Sequence, residues 1–152
     1  ICAEVVPFIQ QQTGSRQKLL TTGVSMGGYH SGNFFFRHPE LFDALVALSG
    51  LFQLKMFVGN YVDDHVYFNS PLLYLPKLSD PAILDLYRSS SIIICAGQGA
   101  WEESMLADAR AMKTLLDARA VPAWVNLWGY DVNHDWPWWR KQLPYFLGQL
   151  FR

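Results

Sequence analysis

Lys18-Leu-Leu-Thr-Thr-Gly-Val-Ser-Met-Gly-Gly28 runs from an apolar strand over Lys18–Thr22 straight into Gly23-Val24-Ser25-Met26-Gly27. The pattern is Gly-x-Ser-x-Gly between a strand and a helix. In that setting a serine sits on a sharp, strained turn with its hydroxyl lifted above the sheet. Glycines at 23 and 27 are expected to make room for the turn. The helix opening after Ser25 aims free N–H groups at the same spot, so the Met26 N–H and the helix dipole would stabilise an oxyanion forming there. Short Gly-x-Ser-x-Gly strings also arise by chance in glycine-rich turns. Here the strand before and the helix over Gly27–Arg37 supply the required context, and Ser25 becomes the candidate nucleophile.

Outward from this stretch, residues Ala3–Gln12 place Val5, Val6 and Ile9 at helical spacing, and Thr13-Gly14-Ser15 stops that helix. Gly28–Arg37 is apolar nearly all round, as a helix buried beneath a reactive serine would be, and His38-Pro39 ends it. Ala44–Ser49 is a short continuous apolar run closed by Gly50, a strand buried on both faces. Periodicity then fades over Leu51–Ser90, a long region of loops and short helices expected to shape a pocket. Ser91–Gly97 reads as the third strand, Glu103–Arg119 as an amphipathic helix with Met105, Ala109, Met112 and Leu116 on one face, and Val121–Trp128 as a fourth strand. Pro137 opens a last helix in which Pro144 should introduce a bend. Strands alternating with helices predict a parallel sheet with right-handed crossovers, in one domain over 1–152 without repeats or linkers.

Of 152 residues, 51% are hydrophobic and 15% aromatic, so most of the chain expects burial. Charged residues are 16% and the net charge is -1, which leaves no basic face for nucleic acid and no polybasic membrane signal. No apolar run reaches membrane-spanning length, and no leader pattern precedes the first helix. Cys2 and Cys95 make no disulfide framework and leave the redox compartment open; Cys95, inside the third strand, reads as a buried inert thiol.

A serine hydroxyl needs a base within reach. Of four histidines, His30 lies in the buried helix, His38 caps its end, and His65 sits in the irregular region where it could line a pocket. His134 follows the last strand in the polar loop Gly129–His134, at the sheet edge where Ser25 emerges, and is the candidate base. In the chain order serine, acid, histidine, the acid should follow the third strand. Glu102 is preferred, Glu103 comes next, and Asp131 shares the loop of His134. Both glutamates also suit a helix N-terminus as plain dipole partners. The surplus of tryptophans, Trp101, Trp124, Trp128, Trp136, Trp138 and Trp139, is expected mainly in core and helix packing rather than on a sugar-binding platform.

Ser25-Met-Gly-Gly28, Arg37-His-Pro-Glu-Leu-Phe42 and Ala47-Leu-Ser-Gly50, followed by Asn133-His-Asp-Trp136 with Trp138-Trp139, resemble the central and terminal blocks of the putative esterase family of α/β-hydrolases. That group includes S-formylglutathione hydrolases, feruloyl, acetylxylan and enterochelin esterases, and mycolyltransferases. The resemblance covers essentially the whole chain. It implies the C-terminal part of a three-layer α/β-hydrolase fold, with Ser25 as nucleophile, His134 as general base and then acid, and the Met26 amide as one oxyanion donor. The family commonly places an aspartate where this chain has Ala100; relatives with a glutamate keep Glu102 and Glu103 in play. Members also carry several strands ahead of the first helix seen here, including the loop that donates a second oxyanion N–H. The chain begins at Ile1, so a longer native protein is expected, or association with another surface through the exposed sheet edge.

The function expected is cleavage of small-molecule carboxylic esters through an acyl-serine, with no metal and no organic cofactor implied. Two alternatives stand beside it. One is acyl transfer to a sugar or glycerol hydroxyl; the other is a non-catalytic binding module using the pocket or the Tyr61–Tyr74 region.

Overall fold

The computed structural model describes residues 1–151. Strands β1 (Leu19–Val24), β2 (Phe42–Leu48), β3 (Ser91–Ala96) and β4 (Trp124–Leu127) pair in parallel, side by side in chain order. Parallel neighbours require a crossover, and helices supply it. Helix α1 (Val5–Thr13) precedes β1, and α2 (Met26–Arg37) joins β1 to β2. The long link from β2 to β3 folds into α3 (Lys55–Val58), α4 (Asp64–Phe68), α5 (Pro71–Tyr74), a 3-10 turn at Leu75–Lys77 and α6 (Pro81–Arg88). Helix α7 (Glu103–Ala118) leads to β4, and α8 (Trp136–Leu150) follows it. The class is α/β with a parallel sheet, as expected.

Period-two alternation in the strands sorts the core into two layers. Leu45, Ala47, Ile92 and Ile94 pack with Phe35 and Phe36 of α2, Tyr87 of α6 and Met112 and Leu116 of α7. The intervening Val46, Leu48, Ile93 and Cys95 face Trp139 and Phe146 of α8. Both faces of β2 and β3 are therefore apolar, which is why those strands read as continuous hydrophobic runs. Polar contacts tie the irregular region to the frame: Asp108 of α7 accepts the buried Phe52 N–H at 2.7 Å, and the half-buried Tyr29 hydroxyl of α2 donates to the Asn69 carbonyl at 2.9 Å. Burial pushes the Asp108 carboxyl above the ordinary aspartate range, against the pull of its hydrogen bonds from Phe52 and Gln53.

Several local expectations change. Helix α2 is two-sided, because His30 and Arg37 face solvent while Tyr29, Asn33, Phe35 and Phe36 are buried; the exposed His30 ring stacks on Phe34. In α1 only Val6 is buried, and Val5 is exposed. The fourth strand shortens to Trp124–Leu127, with Pro122, which has no N–H to pair, left outside it. Pro144 is accommodated within α8 on its exposed side. Of the tryptophans only Trp139 is buried; Trp124 lies on the edge strand, Trp136 opens α8, and Trp101 stands in a loop at 80% exposure.

The glycines of the elbow divide differently from the sequence reading. A Cβ on Gly23 would collide with the carbonyl group of Gly27, and one on Gly28 would lie 2.9 Å from the Gly50 Cα, whereas one on Gly27 would meet nothing within 4 Å. The close approaches thus belong to Gly23, Gly28 and Gly50, and Gly27 takes part through its backbone alone. Gly23→Ala is expected to lower stability by about 3 kcal/mol through overpacking. Gly27→Ala should raise it by up to about 1 kcal/mol through helix propensity. Urea midpoints of the two variants check this, and equal losses at both positions would contradict it.

Candidate active site

Ser25 follows β1 with φ 53° and ψ −118°, a positive-φ conformation that non-glycine residues avoid. The turn is pinned from below, since the Ser25 N–H donates to the Leu48 carbonyl of β2 at 2.9 Å. Its own carbonyl accepts the Tyr29 N–H at 3.0 Å and so starts α2. Met26 is the first residue of that helix, where a backbone N–H lies ahead of the i−4 ladder and points outward.

His134 arrives on the loop after β4, which is zipped to the loop after β3. Gly99 N–H donates to the Val132 carbonyl at 2.9 Å, His134 N–H to the Ala100 carbonyl at 3.0 Å, and Ala100 N–H to Asn133 Oδ1 at 2.8 Å. Side chains at 97 or 99 would collide with this loop, which accounts for both glycines. Asp135 then caps α8 by accepting the Trp136 N–H at 2.7 Å. In the resulting position His134 Nε2 lies 2.7 Å from Ser25 Oγ, across 109 residues of sequence. Its other nitrogen, Nδ1, lies 3.2 Å from Glu102 Oε1, and its ring meets Trp139 edge-on at 4.9 Å between centroids.

Glu102 is 1% exposed and stands at the head of α7. Oε1 also accepts from the Ser49 hydroxyl at 2.6 Å, and Ser49 Oγ in turn accepts the Trp139 indole N–H at 3.0 Å. Oε2 is buried and has no hydrogen-bond partner among the described residues. Ser25, His134 and Glu102 are thus brought together; Glu103 and Asp131 are exposed, and neither lies within hydrogen-bond distance of His134. His30, His38 and His65 are also apart from Ser25: His38 pairs with Glu40 at 3.0 Å, and His65 is exposed on α4. Ala100 contributes backbone only. Ser49 was missed by pattern reading. Its signal is positional: β1 and β2 pair Val24 with Leu48, so the residues that follow, Ser25 and Ser49, end adjacent parallel strands, and both take positive φ.

In front of Ser25 and His134 opens a cavity of about 340 Å³. Its walls are mainly Met26, Leu51, Met56, Phe57, Trp101 and Met105, and no carboxylate, lysine or arginine lines it. Behind the site Cys95 is buried, and burial together with the charge of Glu102 pushes its thiol far above the ordinary range, so it stays protonated and inert. Among the described residues no group of three or more His, Cys, Asp or Glu side chains is placed to hold a metal ion. No described helix is long and apolar enough to cross a membrane.

A profile of the putative esterase family matches residues 1–150. The chain belongs to that family. No curated protein matches the esterase chain significantly. Among solved structures it is similar to a ferulic acid esterase at 24% identity, with TM-score 0.76 over 97% of this chain and 58% of that one. It is also similar to a substrate-bound fluorophosphonate-binding serine hydrolase F of Staphylococcus aureus, at 18% identity and TM-score 0.75 over 99% and 62%. An S-formylglutathione hydrolase from the same organism follows at 19% identity and TM-score 0.73 over 99% and 59%. These likenesses establish the α/β-hydrolase fold, and the esterase chain spans about three fifths of the length of each of the three.

Proposed function

We propose that this chain carries the reacting groups of a serine hydrolase for carboxylic esters, with Ser25 as nucleophile, His134 as base and acid, and Glu102 as the orienting carboxylate. The observation that carries the reading is the 2.7 Å approach of His134 Nε2 to Ser25 Oγ on a strained turn. Ser25 Oγ bonds to the ester carbonyl carbon as its proton passes to Nε2. The carbonyl oxygen becomes an oxyanion facing the Met26 N–H and the positive end of α2. Collapse breaks the bond to the alcohol, which leaves with the proton held on Nε2. Water then attacks the acyl-serine, gives its proton to Nε2, and the acid departs as that proton returns to Ser25. Glu102, buried beside Nδ1, balances the imidazolium in both halves of the cycle.

The uncharged, largely apolar cavity supports a small ester without charge near its carbonyl. A fluorophosphonate probe applied to the full-length protein is expected to label Ser25, and Ser25→Ala is expected not to label. A wild-type protein that never labels would overturn the reading. Adding glycerol to an ester assay separates hydrolysis from acyl transfer, since only transfer makes the glyceryl ester in place of the free acid.

A further inference from the structure

We infer that Ser49 and Trp139 are positioning residues that hold the Glu102 carboxylate against Nδ1 of His134, and through it the tautomer that leaves Nε2 free to act as a base. The inference rests on the proposed roles of Ser25 and His134 and adds two residues beyond them. An indole nitrogen can only donate. Trp139 Nε1 lies 3.0 Å from Ser49 Oγ, so the serine lone pair is engaged and its hydroxyl proton points to its other partner. That partner is Glu102 Oε1, 2.6 Å away, which therefore accepts. An ionised carboxylate can only accept, so Oε1 also accepts from Nδ1 of His134, 3.2 Å distant. Nδ1 then holds the proton, and Nε2 presents its lone pair to Ser25 Oγ, as a general base must. With a donor-only indole at one end and an acceptor-only carboxylate at the other, the Ser49 hydroxyl has one orientation, and its bond holds Oε1 in place beside Nδ1 of His134.

Burial makes the direction consequential. Ser49 and Glu102 are each 1% exposed and Trp139 is 7% exposed, so these bonds are made in a poorly solvated site. Ser49 also keeps φ 49°, a conformation in which glycine would be at ease. The serine there supplies what glycine cannot, a hydroxyl.

The test uses the full-length protein, with ¹⁵N-histidine NMR to read the His134 tautomer and steady-state kinetics on p-nitrophenyl acetate. Ser49→Gly removes the hydroxyl while relieving the backbone, so it folds. Trp139→Phe keeps the ring against His134 and removes only the N–H. In both, kcat is expected to fall about 10- to 100-fold with KM unchanged, the loss of a hydrogen bond feeding a charged group. The single Nδ1-protonated tautomer of the wild type should give way to an exchange-broadened mixture. Wild-type kcat and an unmixed tautomer in both variants would overturn the inference. A wild type inert to fluorophosphonate whose tautomer still responds to Ser49→Gly would sink the hydrolase reading and leave the relay standing.

Discussion

Ser25→Ala is expected to lower kcat about 10⁵-fold or more while leaving the fold intact. In the proposed mechanism the hydroxyl oxygen is the atom that bonds to the acyl group, and the Cys95 thiol is buried and held protonated. Ser25→Gly separates chemistry from strain. It should be as inactive as the alanine variant, yet more stable than wild type by about 1 kcal/mol, since glycine adopts φ 53° and ψ −118° without penalty. Esterase assays and thermal melts of the two variants side by side check both statements. A glycine variant that melts below the alanine variant would show that the turn is unstrained.

Glu102→Gln comes second, with kcat expected to fall about 10³-fold. In the proposed cycle the imidazolium sits against a carboxylate that is 1% exposed, and a neutral amide there would leave that charge without a counterion in a poorly solvated site. The amide would also place an N–H₂ where Oε2 now has no partner. Glu103→Gln and Asp131→Asn, both on exposed side chains, are expected to keep wild-type kcat. A large loss in either of those variants with an active Glu102→Gln would reassign the acid.

Features carried by local patterns were legible in the sequence. The elbow is a contiguous strand, turn and helix, and the four strands and the helices after them show their periods over a few residues each. His134 was also readable, because a polar loop after the last strand of a parallel sheet can open at only one rim. For the carboxylate the sequence favours Glu102 but leaves Glu103 and Asp131 open, since its place depends on the path of a loop. Trp101 takes φ 68° and stays 80% exposed, and that turn carries the next side chain, Glu102, into the interior. The adjacent Glu102 and Glu103 differ in sequence hardly at all, and the turn at Trp101 distinguishes them, whereas Asp131 lies exposed on the loop after β4. Ser49 and Trp139 escaped for a related reason: a serine at a strand end and a tryptophan in a helix both read as packing, and their meeting across 90 residues leaves no local mark. Gly27 shows the reverse error, where a motif position suggested crowding that the neighbouring Gly28 in fact bears.

The lateral order of the sheet matches the order in which a ribosome makes it. Each new strand finds its hydrogen-bonding neighbour already synthesised, so pairing can proceed outward from β1 without waiting for distant sequence. Chemistry follows a different clock. The imidazole of His134 is translated 109 positions after the hydroxyl of Ser25, and a nascent chain therefore holds that serine without its partner until the loop after β4 has emerged.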